Sequence, residues 1–195
     1  MMFKSLVTHL RHDGTWHTAL CLADSCRRVA FGIYEIVRRQ VAEPQSSIQF
    51  AWGYEALNRY RQGRTDLPSE FYLDVTKGAR NCLLATLAGE AAAILWIHDD
   101  NFPSKFIQLK PNEVEVGYLQ TLPHFRGRGL AKALVGLAVQ QFEGRRVFAV
   151  IDDRNISSRT VFSRTGFRRI FTLTRRGLWG PRYTSDSEPE CHSAL

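Results

Sequence analysis

The chain has 195 residues, of which 44% are hydrophobic and 23% charged, as in one globular domain with a full core. Its longest apolar runs, such as residues 91–97, fall short of the roughly 18–20 residues of a membrane span. Residues 1–13 hold too short an apolar stretch for a signal peptide, so we expect a cytoplasmic protein with no membrane partner.

The N-terminal half predicts helices followed by a hairpin. A short strand over Ser5–Leu10 precedes apolar residues at near-helical spacing, which predict a helix over Thr15–Arg39. A second helix is expected over Ile48–Arg61. The apolar runs Asn81–Leu87 and Ala91–His98 flank a short turn at Gly89 and Glu90, which indicates a β-hairpin.

The C-terminal half alternates strands and helices. Because parallel neighbours need a crossover, the strand–helix–strand unit over residues 113–151 predicts a parallel pair, and the whole predicts an α/β fold: a mixed sheet with helices on both faces. The predicted elements are a loop over Asp99–Pro111, strands over Glu113–Thr121, Arg146–Ile151 and Phe167–Arg175, helices over 130–142 and Asn155–Thr165, and a disordered tail over 185–195.

The formal charge of +7 is concentrated in residues 126–182, which hold 13 Lys and Arg against three acidic residues. A positive half attracts nucleic acid, an anionic membrane or a cofactor with several phosphates. Nucleic acid is the less favoured partner, because no zinc finger or single-strand platform accompanies the charge. The cysteines lack zinc-ligand spacing, so we expect no metal and unpaired, mostly buried thiols at Cys21, Cys26, Cys82 and Cys191.

A turn rich in Gly and Arg joins the strand over Glu113–Thr121 to the next helix. Backbone N–H groups and a helix N-terminus converge there, which suits a phosphorylated ligand. Gly127 and Gly129 have no Cβ to obstruct an anion, and Arg126 and Arg128 add positive charge. The plain alternative is a loop that only turns the chain.

This turn, Arg126-Gly127-Arg128-Gly129-Leu130-Ala131, resembles the (Gln/Arg)-x-x-Gly-x-(Gly/Ala) signature of the GNAT acetyltransferases. Upstream, residues 115–119 and Pro123 resemble the central strand of that family and its exit. Downstream, the family's Asn-x-x-(Ala/Ser)-x-x-x-Tyr-x-x-x-Gly-Phe segment is matched in spacing by Asn155, Ser158, Phe162, Gly166 and Phe167. The resemblance implies the splayed central sheet of the GNAT fold in a single domain over 1–184, with an acceptor-side half, 1–111, and an acetyl-CoA-binding half, 112–176.

The resemblance also implies how acetyl-CoA is bound. The pyrophosphate is expected on the amides of residues 126–131, and backbone groups of residues 119–121 are expected to bind the pantetheine arm. Asn155 is expected to hydrogen-bond the same arm; a role as helix N-cap is equally open and compatible. The implied contacts are Leu119, Gln120, Thr121, Arg126, Gly127, Arg128, Gly129, Leu130, Ala131, Asn155, Ser158 and Phe162.

Three residues are candidates for acid–base chemistry: Glu115, Tyr118 and His124. Residues 115, 117, 119 and 121 share one face of a regular strand, which favours Glu115 as the base on the thioester side. The alternative is a solvated glutamate, as Glu113 is expected to be. The family's usual acid, a Tyr, is replaced here by Phe162, so Tyr118, His124 or solvent is expected to substitute, unless the thiolate leaves unassisted.

The function implied is transfer of an acetyl group from acetyl-CoA to a primary amine of a small molecule or peptide, in a ternary complex and without a metal. His98 with Asp99 and Asp100 is a candidate for holding a cationic amine, although a polar turn is the simpler interpretation. Open alternatives are a non-enzymatic acyl-CoA-binding or sensing module, a protein N-terminal or lysine acetyltransferase, and a partner-binding subunit. A homodimer is possible, because it is common for this fold.

Overall fold

A computed structural model describes residues 29–37, 48–62, 64, 66–99, 102–176 and 182–185. The chain divides into two compact units, Gly32–Ile170 and, separately, Met1–Phe31 with Phe171–Leu195. The predicted first strand and the predicted tail beyond Ser185 lie outside the described residues. The prediction of one domain over 1–184 stays a prediction.

The described residues form eight strands and four α-helices, with short 3-10 helices at Ser69–Tyr72 and Pro123–Phe125. The elements are β1 (Val29–Ile36), β2 (Ile48–Trp52), α1 (Tyr54–Arg61), α2 (Leu73–Lys77), β3 (Cys82–Leu87), β4 (Glu90–His98), β5 (Glu113–Thr121), α3 (Leu130–Gln141), β6 (Arg146–Asp152), α4 (Ile156–Arg164), β7 (Phe167–Arg176) and β8 (Arg182–Ser185).

The sheet of the larger unit has the strand order β2-β3-β4-β5-β6-β1-β7. β2 to β5 are antiparallel neighbours, whereas β5 and β6 are parallel. In the smaller unit the end of β7 pairs antiparallel with β8, beginning at Leu173 opposite Ser185. The predicted α/β fold with a mixed sheet, its hairpin and its parallel crossover are therefore confirmed.

The helix expected over Thr15–Arg39 is wrong in its second half, because Val29–Ile36 is strand β1. This stretch is rich in β-branched and aromatic residues, which favour a strand. The Tyr34 ring lies across Gly32, so that a Cβ at residue 32 would approach it to 2.6 Å. Residues 15–28 and 38–39 lie outside the described residues.

The helix expected over Ile48–Arg61 is also corrected. Ile48–Trp52 forms β2, which pairs with β3 from Ile48 opposite Leu87 to Trp52 opposite Leu83. Gly53, at φ +86°, then turns the chain into α1. A short apolar run of this kind fits a strand or a buried helix equally well, and the available partner strand decides between them.

The core of the larger unit lies around β3, β4 and β5, against which α3 packs. In β4 every residue from Ala91 to His98 is buried, and the Trp96 indole donates to the carbonyl of Glu70 at 2.7 Å. Cys82 is free and buried, as predicted, and burial raises the pKa of its thiol to about 12. The other three cysteines lie outside the described residues. None of the helices that the structure describes is long and apolar enough to cross a membrane.

Candidate active site

Strands β5 and β6 pair at one end and separate toward the other. Their parallel register covers only Glu113–Glu115 opposite Arg146–Phe148, while β5 continues to Thr121 and β6 to Asp152. A cavity of about 580 Å³ is lined by the separated end of β5, the start of α3 and one side of α4. Its lining comprises Leu119, Gln120, Thr121, Phe125, Arg126, Gly127, Gly129, Leu130, Ala131, Lys132, Asn155, Ser157, Ser158, Thr160, Val161 and Arg164.

The Gly/Arg turn forms one end of this cavity. Gly127 and Gly129 have φ values of +78° and +75°, which L-residues with side chains rarely adopt. A Cβ at either position would meet nothing within 4 Å, so both backbones face open space. Gly129 is the N-cap of α3, and the first amides of a helix have no intrahelical acceptor. This end therefore offers free N–H donors and the positive end of a helix dipole to an anion.

The cavity lining is positively charged. Arg126, Lys132 and Arg164 line it, and none of the described residues in the lining is acidic. The Arg126 Nε donates to the carbonyl of Thr121 at 3.3 Å, which links the turn to the end of β5. Arg128 is exposed and lies over the Phe125 ring at 5.7 Å, outside the lining. The charge suits a ligand with more than one phosphate.

The structure shows Asn155 in the N-cap role, and its contact with the coenzyme arm stays a prediction. It is the N-cap of α4, where its Oδ1 accepts from the Ser158 amide at 3.0 Å and from the Ser157 hydroxyl at 2.9 Å. It also lines the cavity, together with Ser158. Phe162 does not, because its ring is buried against Phe167 with the ring centroids 5.1 Å apart.

A β-bulge in β5 changes which side chains share a face of the strand. Gly117 lies opposite Trp96, but Gln120 lies opposite Ile94, so β5 has one extra residue at this point. Tyr118 sits there with φ +48°. The expectation that residues 115, 117, 119 and 121 share one face is therefore wrong: Glu115 shares its face with Gly117 and Gln120, and Thr121 lies on the other face.

Neither glutamate of β5 is solvated. Glu115 is 4% exposed and accepts a hydrogen bond from the Ser104 hydroxyl, while its Oε2 has no partner among the described residues. Burial raises the pKa of this carboxyl to about 7. Glu113, 6% exposed, binds the Arg146 guanidinium at 2.9 Å, and Arg146 also binds Glu35 of β1 at 2.7 Å. Glu113 therefore ties strands together, whereas Glu115 keeps a free oxygen with a pKa suited to proton transfer.

Glu115 belongs to a polar cluster whose other members are His98, Tyr118 and Lys77. His98 pairs with Glu115 across β4 and β5, and its ring is 5.5 Å from that of Tyr118. Burial lowers the pKa of His98, which favours its neutral form. The Lys77 Nζ donates to the Tyr118 hydroxyl at 2.7 Å. Sequence reasoning missed Lys77 and Ser104, because nothing local in the sequence connects them with β5.

The remaining candidates, Asp99 and His124, contact other residues. Asp99 accepts from the Asn81 side chain at 2.6 Å and from the Phe102 amide at 3.1 Å, as in a polar turn. Asp100 lies outside the described residues. His124 is exposed and rests against the Phe125 ring, with the ring centroids 4.2 Å apart. The catalytic and binding roles of all these residues stay predictions.

The raised pKa of Glu115 predicts a pH-dependent stability. The folded state binds this proton more tightly than the unfolded chain, in which the carboxyl has a pKa of 4.5. The stabilising contribution of the protonated carboxyl is therefore complete below pH 4.5 and is lost as the pH rises through about 7. We expect the free energy of unfolding to fall by on the order of 3 kcal/mol across this window. Urea unfolding at each pH measures the fall, which Glu115→Gln abolishes; replacing the exposed Glu143 with Gln is the control. If Glu115→Gln keeps the full fall in the free energy of unfolding, the raised pKa does not belong to Glu115.

Comparisons with known proteins agree with this geometry. Residues 107–176 match the GNAT-related family model described as FR47-like protein, a range that includes β5, the Gly/Arg turn and α3. No curated protein matches the chain. Among solved structures, a GNAT-family protein from Novosphingobium aromaticivorans DSM 12444 has a TM-score of 0.52 at 19% identity, covering 76% of this chain and 63% of that one.

Two further structures show the same fold. A GNAT-family acetyltransferase from Colwellia psychrerythraea has a TM-score of 0.52 at 16% identity, covering 84% of this chain and 61% of its own. A GCN5-related glucosamine N-acetyltransferase region of a fungal multi-domain GH3 β-N-acetylglucosaminidase has a TM-score of 0.53 at 11% identity, covering 83% of this chain and 23% of that one. This chain thus spans less than two thirds of the length of each of these proteins. The predicted GNAT resemblance is confirmed, and the fold is that of GNAT proteins.

Proposed function

We propose that this chain is an N-acetyltransferase that moves an acetyl group from acetyl-CoA to a primary amine. The observation that carries the proposal is the cavity lined by the end of β5, the start of α3 and one side of α4. It reaches from the free amides at the start of α3 to the last residues of β5, beyond the bulge. A ligand with a diphosphate at one end and an amide-containing arm at the other fits both ends.

The residues for holding the coenzyme are of two kinds. The amides of residues 127–131, with Arg126, Lys132 and Arg164, bind phosphate oxygens. Backbone groups of residues 119–121 and the Asn155 side chain bind the arm. Once bound, acetyl-CoA supplies a thioester that an amine can attack. Hydrogen bonds from the backbone of β5 to the thioester oxygen stabilise the charge that develops there.

Glu115 is the proposed base. Its pKa of about 7 leaves a large fraction ionised at neutral pH, and its free Oε2 accepts the proton that the attacking amine must lose. Three residues of strand, about 10 Å, separate Glu115 from the bulge at Tyr118, so we propose that water relays the proton. The Tyr118 hydroxyl, which accepts from Lys77, keeps its own proton to donate to the leaving thiolate.

Two measurements on the intact chain test the proposal. CoA at about 100 times its dissociation constant should stabilise the fold by about 2.7 kcal/mol, which appears as a higher melting temperature. Acetyl-CoA with a panel of amines should then release free thiol in proportion to the amine. Binding without release on any amine supports the acyl-CoA-binding module instead. No shift with either CoA or acetyl-CoA contradicts both functions.

A further inference from the structure

The loop between β4 and β5 brings the half-buried hydroxyl of Ser104 against the carboxyl of Glu115. The hydroxyl oxygen accepts from the amides of Phe106 and Ile107, each at 3.2 Å. A serine hydroxyl has one hydrogen and two lone pairs, so these two amides occupy both of its acceptor positions. Its hydrogen is left for the Glu115 carboxyl, to which it donates.

This arrangement makes the two oxygens of the Glu115 carboxyl different. Oε2 has no partner among the described residues, so Oε1 is the oxygen that accepts from Ser104. Ser104 cannot accept a proton from Oε1 in return, because the amides of Phe106 and Ile107 already use its lone pairs. When Glu115 binds a proton, that proton therefore resides on Oε2, and Oε1 becomes the carbonyl oxygen.

The same hydrogen bond limits how far burial raises the pKa of Glu115. Burial disfavours the ionised carboxyl, whereas the hydrogen bond from Ser104 stabilises it and lowers the pKa. Among the described residues these two effects cause the shift, and together they give a pKa of about 7. Without the Ser104 hydroxyl, Glu115 would keep its proton to a higher pH.

The other titratable groups around Glu115 are neutral, engaged elsewhere or exposed. On β4, His98 lies opposite Glu115, and burial lowers the pKa of its imidazole, which favours the neutral form. On β6, the Arg146 guanidinium binds Glu113 at 2.9 Å. The titratable groups of the loop, of the 3-10 helix at 69–72, of α3 and of the far end of β6 make other contacts or are exposed: Glu70, Tyr72, Asp99, Lys105, Lys132 and Asp152.

We propose that Ser104 is a positioning residue for the acetyl transfer, because its hydroxyl holds Oε1 of Glu115 and leaves Oε2 to take the proton of the amine. The proposal rests on the proposed function and adds how its base is oriented. Through the relay water the amine loses one proton and Oε2 gains one, while the Ser104 proton stays on its own oxygen.

The pH dependence of the rate tests this role. Ser104→Ala is expected to move the rise of kcat/KM upward by about one pH unit, because the ionised carboxyl loses its donor. Ser104→Thr keeps a hydroxyl and should keep the wild-type midpoint. The matched control is Ser69→Ala, since Ser69 also donates to a glutamate, Glu70, at 3.3 Å but at the surface. It should leave the midpoint unchanged. The measurement is initial thiol release at subsaturating amine across the pH range.

Infrared spectra locate the proton without any use of activity. At a pH below the midpoint, each protein is compared with the same protein carrying Glu115→Gln, so that the difference contains the C=O stretch of protonated Glu115. A carbonyl that accepts a hydrogen bond absorbs at lower wavenumber. Ser104→Ala should therefore move this stretch to higher wavenumber, and Ser104→Thr should not. If the proton resided on Oε1, the stretch would belong to Oε2 and would not respond to Ser104→Ala.

The outcomes separate this proposal from the proposed function. An unmoved midpoint or an unmoved stretch in Ser104→Ala overturns the role of Ser104 and leaves the acetyltransferase intact. If Ser104→Ala does not fold, Ser104→Cys replaces it, because a thiol of similar shape is a weak donor and must raise both the midpoint and the wavenumber. A wild-type chain with neither a CoA-induced melting shift nor thiol release overturns the proposed function and the role in it, whereas the infrared shift still reports the bond between Ser104 and Glu115.

Discussion

Glu115→Gln is expected to lower kcat/KM by about 10²- to 10⁴-fold, the usual contribution of a positioned general base. The wild-type rate should rise with pH through about 7, because Glu115 must lose its proton before it can take one from the amine. The mutant should lack that rise. Initial rates of thiol release across the pH range, at subsaturating amine, measure both effects.

The control for this change is Glu113→Gln, two residues earlier on the same face of β5. Glu113 is also buried, but its carboxylate is occupied by Arg146 and by the Lys110 amide at 3.0 Å. Its loss should lower stability while the pH dependence of the rate persists. If Glu115→Gln keeps the wild-type pH profile, the proton is taken by another group, and the base assignment is wrong.

Gly129→Val is expected to abolish the CoA-induced rise in melting temperature, a loss of about 2.7 kcal/mol of ligand stabilisation at 100 times the wild-type dissociation constant. The new side chain projects into space that is open in the free protein, at the N-cap of α3. A phosphate approaching the amides needs that same space. Thermal unfolding with and without CoA is the measurement.

A side chain at a positive φ is strained and lowers the stability of Gly129→Val by itself. The control is therefore a substitution at another glycine with a similar positive φ. Gly144, just beyond the other end of α3, has φ +83° and nothing within 4 Å of a built Cβ. Gly144→Val carries a similar cost of about 1–2 kcal/mol but lies outside the cavity lining. It should melt lower and still respond to CoA. An undiminished response in Gly129→Val means that the phosphates bind elsewhere.

The sequence predicts the segment from Glu113 to Arg176 well, because each element there is bounded by its own signals. The Gly/Arg turn, the Asn155 cap and Gly166 mark where helices begin and end, and β5 has the predicted limits. The stretches 29–36 and 48–52 were assigned wrongly, because their apolar spacing is ambiguous and their conformation depends on partner strands. Local patterns do not contain that information.

The cofactor end of the candidate site was also easier to predict than the acceptor end. The turn is one contiguous run, so a short motif describes it. The acceptor end joins Lys77 of α2, His98 of β4, Ser104 of a loop and Glu115 of β5, which meet only after folding. The burial that raises the pKa of Glu115 likewise comes from packing that is distant in sequence.

The single extra residue at Tyr118 has a consequence for the evolution of this strand. Deleting it would restore strict alternation and exchange inward and outward side chains at the last three positions of β5, although every residue type there stayed the same. Two chains with identical Gly/Arg motifs can therefore present different atoms to the same coenzyme. Alignments that place a gap one position away from Tyr118 would misassign which side chains line the cavity.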